Sequence, residues 1–193
     1  MAVKLKKGGK VSLEKEDPEV ETIMVGLGWK SRDDDGAEFD LDASCFLLKE
    51  NMKVRNDNDL IFYNNLRAEN DCVVHTGDDR TGGSGDSDDE VINVDLNKIP
   101  SKIDKLAFVV SIYEGEKRKQ NFGMIRSAYI RVVNSKTLNE ILRFDLTEEA
   151  SLNTAMIFGV VYRDNGGWKF KAVGEGVENN LEGLCHKYGV ETE

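Results

Sequence analysis

Ten runs of five to ten residues, each rich in Val, Ile, Leu, Phe or Tyr, succeed one another with Gly, Asn, Asp or Ser clusters between them. They cover 22–29 (TIMVGLGW), 39–48 (FDLDASCFLL), 60–65 (LIFYNN), 72–76 (CVVHT), 90–96 (EVINVDL), 105–114 (KLAFVVSIYE), 127–134 (SAYIRVVN), 140–146 (EILRFDL), 155–163 (AMIFGVVYR) and 167–176 (GWKFKAVGEG). Short β-branched and aromatic runs punctuated in this way read as strands. Asp-Asn-Gly-Gly at 164–167 marks a hairpin, since Asn and Gly accept positive φ at low cost. Within the last run Trp168, Phe170 and Ala172 alternate with Lys169 and Lys171, the pattern of a half-buried antiparallel strand. Only the tail carries a helical period: Leu181, Leu184, Cys185 and Tyr188 recur at i, i+3, i+4, i+7, with Asn180 as N-cap and Gly189 as stop. Segment 147–156 reads as a short helical turn or a loop. The expected fold is all-β: a β-sandwich of two mostly antiparallel sheets, with acidic loops at one end and a short C-terminal helix. At 193 residues, with two prolines and no long linker, the chain is expected to fold as a single domain over 1–193.

The net charge of −10 is concentrated in two places. Residues 33–42 (DDDGAEFDLD) hold six acids and no base, and residues 77–90 hold six acids and one arginine, Arg80. Without those two windows the chain has 24 acidic and 25 basic residues, close to neutral. Nucleic acid is therefore not an expected partner, because phosphate binding needs a basic stripe. The small clusters Lys4, Lys6, Lys7, Lys10 and Lys117, Arg118, Lys119 read as solvated surface. Three widely spaced cysteines, Cys45, Cys72 and Cys185, lack any C-x-x-C spacing and read as buried thiols rather than as disulfides or zinc ligands. The charged N-terminus has no apolar h-region and no membrane span is visible, so the expected location is cytoplasmic.

The strand period applied to Glu38–Ser44 (EFDLDAS) separates two sets. Glu38, Asp40, Asp42 and Ser44 project from one face, and Phe39, Leu41 and Ala43 from the other. Carboxylates spaced about 7 Å apart along one face repel one another unless a cation or a proton intervenes. Hard oxygen donors in Gly-containing loops suit calcium, which accepts six to eight oxygens in flexible geometry. Zinc, copper and iron sites favour His or Cys, and the chain has only His75 and His186. The paired amides Asn64 and Asn65 offer carbonyl oxygens from a third segment. No EF-hand register fits: aligning Gly36 with its glycine places Ser31 where the first aspartate belongs. The competing reading of such acidic runs is a solvated face or a linker.

The motifs VGLGW, DGAEFDLDAS, FYNNL, HTGDDRTG, DDEVI, QNFG, IRVVN, LTEEAS and FKAVGEG occur in this order. Together they resemble the TerD family of tellurium-resistance and stress proteins, over essentially the whole chain. The resemblance implies a calcium-binding β-sandwich, usually holding two ions in its aspartate-rich loops, associated with resistance to tellurite and other chemical stress in bacteria. It implies ligands at Asp40 and Asp42 with Ser44 beside them, at Asn64 and Asn65, at Asp78, and at Asp88, Asp89 and Glu90. Glu38 departs from the family's usual aspartate, and the 75–90 loop is about one residue longer than usual, with Asp79 where Asn is common. Protein partners in a larger stress-response assembly are expected, with the inner membrane surface as one location.

No catalytic reaction is established for the family, and the chain is expected not to be an enzyme. Two alternatives are a cyclic-nucleotide-binding protein, as some relatives are described, and a metal-dependent phosphohydrolase built on the acidic cluster. Against the latter, no nucleophile–His–acid set is evident, and His75 reads as structural. VGLGWK lacks the full G-x-G-x-x-G and stands in a strand, so it makes a weak nucleotide cradle.

Overall fold

The structure is a computed structural model that describes residues 2–31, 39–77, 88–146, 152–177 and 180–192. Its strands are β1 (Val3–Leu5), β2 (Lys10–Ser12), β3 (Thr22–Ser31), β4 (Leu41–Leu48), β5 (Leu60–Ile61), β6 (Val73–His75), β7 (Glu90–Asp95), β8 (Lys105–Ile112), β9 (Ile125–Asn134), β10 (Glu140–Leu146), β11 (Ala155–Asp164) and β12 (Gly167–Val177). Among the described residues, two short α-helices, α1 (Leu13–Glu16) and α2 (Gly115–Arg118), lie between strands, and α3 (Asn180–Tyr188) follows the last strand.

The strands form two six-stranded sheets. The first runs β1-β10-β9-β3-β7-β6 and the second β2-β12-β11-β8-β4-β5. Every pairing is antiparallel except that of β1 with β10. Alternate residues from each sheet meet in the space between them: Ile23, Val25 and Leu27 of β3 and Ile130 and Val132 of β9 face Leu41, Ala43, Cys45 and Leu47 of β4 and Phe108 and Val110 of β8. This is the β-sandwich that the alternation implies. The outer face of the second sheet carries a separate apolar cluster, in which Phe46, Leu48, Ala107 and Val109 lie beneath Leu184, Cys185 and Tyr188 of α3. Phe46 and Tyr188 meet edge to face, with ring centroids 5.0 Å apart.

Local signals place the turns. Asn165 (φ 49°) and Gly166 (φ 82°) form the two-residue turn between β11 and β12, where Asp164 pairs with Gly167. Asn180, at φ 53°, accepts the Glu182 N–H on Oδ1 at 2.8 Å and starts α3. Gly189, at φ 81°, ends it, with the Gly189 and Val190 amides both donating to the Cys185 carbonyl.

Two features differ from the sequence reading. The segments Val3–Leu5 and Lys10–Ser12 are strands, although their lysines obscure the pattern; a turn through Gly8 and Gly9 passes the chain from one sheet to the other. Run 60–65 shortens to the two-residue β5. Phe62 and Asn65 exchange backbone hydrogen bonds at 3.0 and 2.9 Å, and the Asn65 amide donates to the Leu60 carbonyl at 2.8 Å. The pair of asparagines thus turns the chain where an extended strand would have continued. Residues 147–151 of the segment read as a helical turn or a loop lie outside the described residues.

The register determines where the acidic runs meet the sandwich. β3 ends at Ser31 beside Ile125, the first residue of β9, and β7 begins at Glu90 opposite Leu27 of β3. β6 ends at His75 opposite Ile92, and β4 begins at Leu41 opposite Ile112, the last residue of β8. Ser31, Leu41, His75 and Glu90 therefore all lie towards the same end of the sandwich.

Candidate metal centre

On β4 the alternation holds at the level of side chains. Leu41 and Ala43 enter the inter-sheet core, whereas Asp42 and Ser44 lie on the outer face, on the same side as Phe46 and Leu48. Asp42 stands opposite Ser111 of β8 and Ser44 opposite Val109. Asp40, one step beyond the strand, is exposed, and its carbonyl accepts the Tyr113 amide at 2.8 Å. Ser44 is 1 % exposed, and its hydroxyl has no hydrogen-bond partner among the described residues. A buried hydroxyl without a partner is costly, so this oxygen favours whatever polar group or ion reaches it.

The other predicted ligands go elsewhere. Asp88, its side chain 4 % exposed, lies on the outer face of the first sheet beside Arg131 of β9. Arg131 Nε donates to its Oδ1 at 2.8 Å and Nη2 to its Oδ2 at 2.9 Å, the paired geometry that a guanidinium offers a carboxylate. Tyr129 adds a bond from its hydroxyl to Oδ1 at 2.9 Å. This pairing with Asp88 holds the Arg131 guanidinium above its ordinary range, while burial first and the Asp88 carboxylate second push the Tyr129 phenol up. The glycines of VGLGW make room for the cluster. A Cβ on Gly26 would fall 2.2 Å from Asp88 Oδ2, and one on Gly28 would fall 2.4 Å from the Tyr129 ring. Arg143 closes the stack, its Cζ 3.8 Å from the centre of that ring.

Asp89 accepts the Trp29 amide on Oδ2 at 2.7 Å, beyond the point where the β3–β7 ladder ends, and burial raises its pKa. Glu90 turns inward from β7 and is 4 % exposed. Its Oε2 accepts the Ala43 amide of the opposite sheet and lies 3.4 Å from His75 Nε2. Asn64 is exposed at the 62–65 turn, and Asn65 is committed to holding that turn. Asp78 and Glu38 lie outside the described residues. Among the described residues, no three His, Cys, Asp or Glu side chains stand close enough together to hold a metal ion. The described candidates thus occupy four places: the outer face of the second sheet, the 62–65 turn, the passage between the sheets, and the outer face of the first.

Sequence reasoning missed Arg131 and Tyr129. The signal was present: glycines two apart in a strand leave a gap on one face, which a neighbouring strand must fill. All three thiols are buried as expected, and burial raises the pKa of each.

The TerD domain profile matches residues 1–188. The chain belongs to the TerD family. It is 52 % identical over 190 residues to "Tellurium resistance protein TerD" of Serratia marcescens, covering 98 % of each chain. It is 45 % identical over 192 residues to "General stress protein 16U" of Bacillus subtilis, covering 99 % of each. A crystal structure described as a homologue of telluride resistance protein TerD, from Streptomyces coelicolor A3(2), has the same fold. It superposes with a TM-score of 0.65 at 17 % identity, over 84 % of this chain and 94 % of that one. TerD relatives bear resistance and stress names, with no enzymatic name among those cited. Among the described residues, no helix is long and apolar enough to cross a membrane.

Proposed function

We propose that this TerD protein is a non-enzymatic calcium-binding component of the tellurite and chemical-stress response, taking up about two Ca²⁺ at the end of the sandwich where its acidic runs emerge. The observation that carries this reading is topological. Two runs 35 residues or more apart in sequence leave and re-enter the sheets at one end, through Ser31 and Leu41 on one side and His75 and Glu90 on the other. The two runs carry twelve acids in a chain that is otherwise near neutral; carboxylates gathered near that end repel one another, and divalent cations relieve that repulsion.

The residues present suit a hard cation. Asp40 and Asp42 carry carboxylates on the same face as the Ser44 hydroxyl, which has no hydrogen-bond partner among the described residues, and the described candidates offer oxygen ligands. Asp42 and Ser44 would contribute from β4, Asp40 from just before it, Asn64 from the neighbouring turn, and Asp78 from the second run. Asp88, with its pairing to Arg131, and Glu90, with its bond across the sandwich, serve the scaffold in this reading. Bound calcium would supply charge neutralisation and a fixed loop geometry; two ions shift the net charge from −10 to −6.

Calorimetric titration of EDTA-stripped protein, with calcium and then with magnesium, tests the reading. Saturable uptake of about two calcium ions per chain, abolished or strongly weakened in Asp40→Asn and Asp42→Asn, is the expected result. No heat and no change in melting temperature on adding calcium would refute it.

A further inference from the structure

Between the sheets, Glu90 and His75 form a buried pair that the proposed ion site does not use as ligands. β5 pairs with β4 only at Cys45 and Phe46, so the Ala43 amide on that side of β4 has no strand to bond. Glu90 reaches across from the opposite sheet and accepts that amide on Oε2. His75 approaches the same oxygen with Nε2 at 3.4 Å, while its Nδ1 accepts the Gly77 amide at 3.0 Å. With Nδ1 taken up by the Gly77 amide, Nε2 is the ring nitrogen that faces Glu90. Both side chains are almost fully enclosed, at 3 % and 4 % exposure.

The chain positions of these contacts give the pair its meaning. Ala43 follows Asp42, the last acid of the first run; Gly77 precedes the second run; Glu90 closes it. One carboxylate oxygen of Glu90 therefore bonds the backbone that follows the first run and lies against the imidazole that holds the Gly77 amide at the start of the second. A buried carboxylate is expensive and is retained only where donors surround it. Here the donors are the backbone at the edges of the two runs, whose separation is fixed by the reach of the Glu90 side chain.

We infer that Glu90 and His75 are positioning residues that hold the start of β4, at Asp42 and Ala43, against Gly77 just after β6 and the start of β7 at Glu90. Their effect on ion affinity rests on the calcium reading above; their effect on backbone spacing does not. Residues that hold ligands in place through hydrogen bonds alter metal affinity by about 10- to 100-fold when removed.

The test compares wild type, Glu90→Gln and Glu90→Ala by amide hydrogen exchange in EDTA and by calcium titration. A glutamine oxygen can take the place of Oε2 and accept from the Ala43 amide beside His75, so Glu90→Gln preserves the link without the charge. It is expected to keep the Ala43 and Gly77 amides protected and calcium affinity within about threefold of wild type. Glu90→Ala is expected to speed exchange at Ala43 and Gly77 by at least about tenfold before any ion is added. It should weaken calcium binding by about tenfold or more. Unchanged exchange in Glu90→Ala overturns the inference. So does a Glu90→Gln that keeps Ala43 protected yet loses calcium as Glu90→Ala does, because Glu90 would then be a ligand itself. Should Glu90→Ala not fold, His75→Ala decides: exposure of the Gly77 amide supports the relay and continued protection refutes it. If wild type takes up no calcium, the calcium reading fails, and the exchange measurements in EDTA still decide the positioning role.

Discussion

Asp88 and Asp42 both stand in acidic runs, yet their neighbours give them different work. Asp88 is neutralised by Arg131 and covered by Tyr129, over the space left by Gly26 and Gly28. Asp88→Ala, which strands a partly enclosed guanidinium, is expected to cost about 2–4 kcal/mol by denaturant unfolding, with the same loss in calcium and in EDTA. Asp42→Asn should instead reduce only the increment that calcium adds. Gly26→Ala drives a methyl into the Asp88 carboxylate and should destabilise by about 1–3 kcal/mol, since backbone and partner strand must yield. The raised phenol of Tyr129 gives a pH dependence of definite sign. With the folded value above the unfolded one, this contribution is fully present below the ordinary phenol range near pH 10 and is lost as pH rises through the folded value. In a spectrophotometric alkaline titration, Tyr129 and Tyr188, whose phenol burial also raises, should ionise late, coincident with unfolding. The pairing of Asp88 was not legible in the sequence, because nothing in the DDE run distinguishes a carboxylate facing solvent from one facing an arginine 43 residues away.

At the scale of elements, β4 and α3 were the most readable parts of the chain. Period two in EFDLDAS describes a strand with one face in the core, and it kept that meaning because Leu41 and Ala43 have only one place to be buried. Ser44 departs from the simple reading. It stands on the polar stripe but is enclosed, because the outer face of the second sheet continues into the cluster beneath α3. The helix was legible from its period and both its caps. Leu184→Ala, at a fully buried position on it, should cost about 2–4 kcal/mol in urea unfolding. That loss should appear alike with and without calcium, because the helix grips the sheet through apolar contact. β1 and β2 were not legible: three residues each, with lysines in or beside them, fall below the length at which alternation can be counted. The 60–65 run misled for the opposite reason, as apolar residues continued past the point where Asn65 turns the backbone.

The whole molecule holds twelve of its 36 acidic residues in two runs that meet its sheets at one end. Repulsion there should make the ion-free protein sensitive to screening. Raising sodium chloride from about 10 mM to 150 mM, which shortens the Debye length from about 30 Å to 8 Å, should raise its melting temperature. With calcium at a hundredfold excess over Kd the stabilisation should reach about 2.7 kcal/mol per site, and the salt effect should shrink. Scanning calorimetry across the four combinations of salt and calcium measures both effects. Sheet order has a consequence in time as well as in space. Residues 3–5 pair with 142–144 and residues 10–12 with 169–171, so the earliest strands to be synthesised wait for almost the latest. A ribosome must deliver most of the chain before the β1 and β2 edges of the sandwich can close, and until then the segment VKLKKGGKVS has no partner strand. Long-range pairing of this kind slows folding. Nascent chains arrested before residue 142 should accordingly remain open to protease at their first dozen residues, whereas chains released beyond residue 177 should become resistant there.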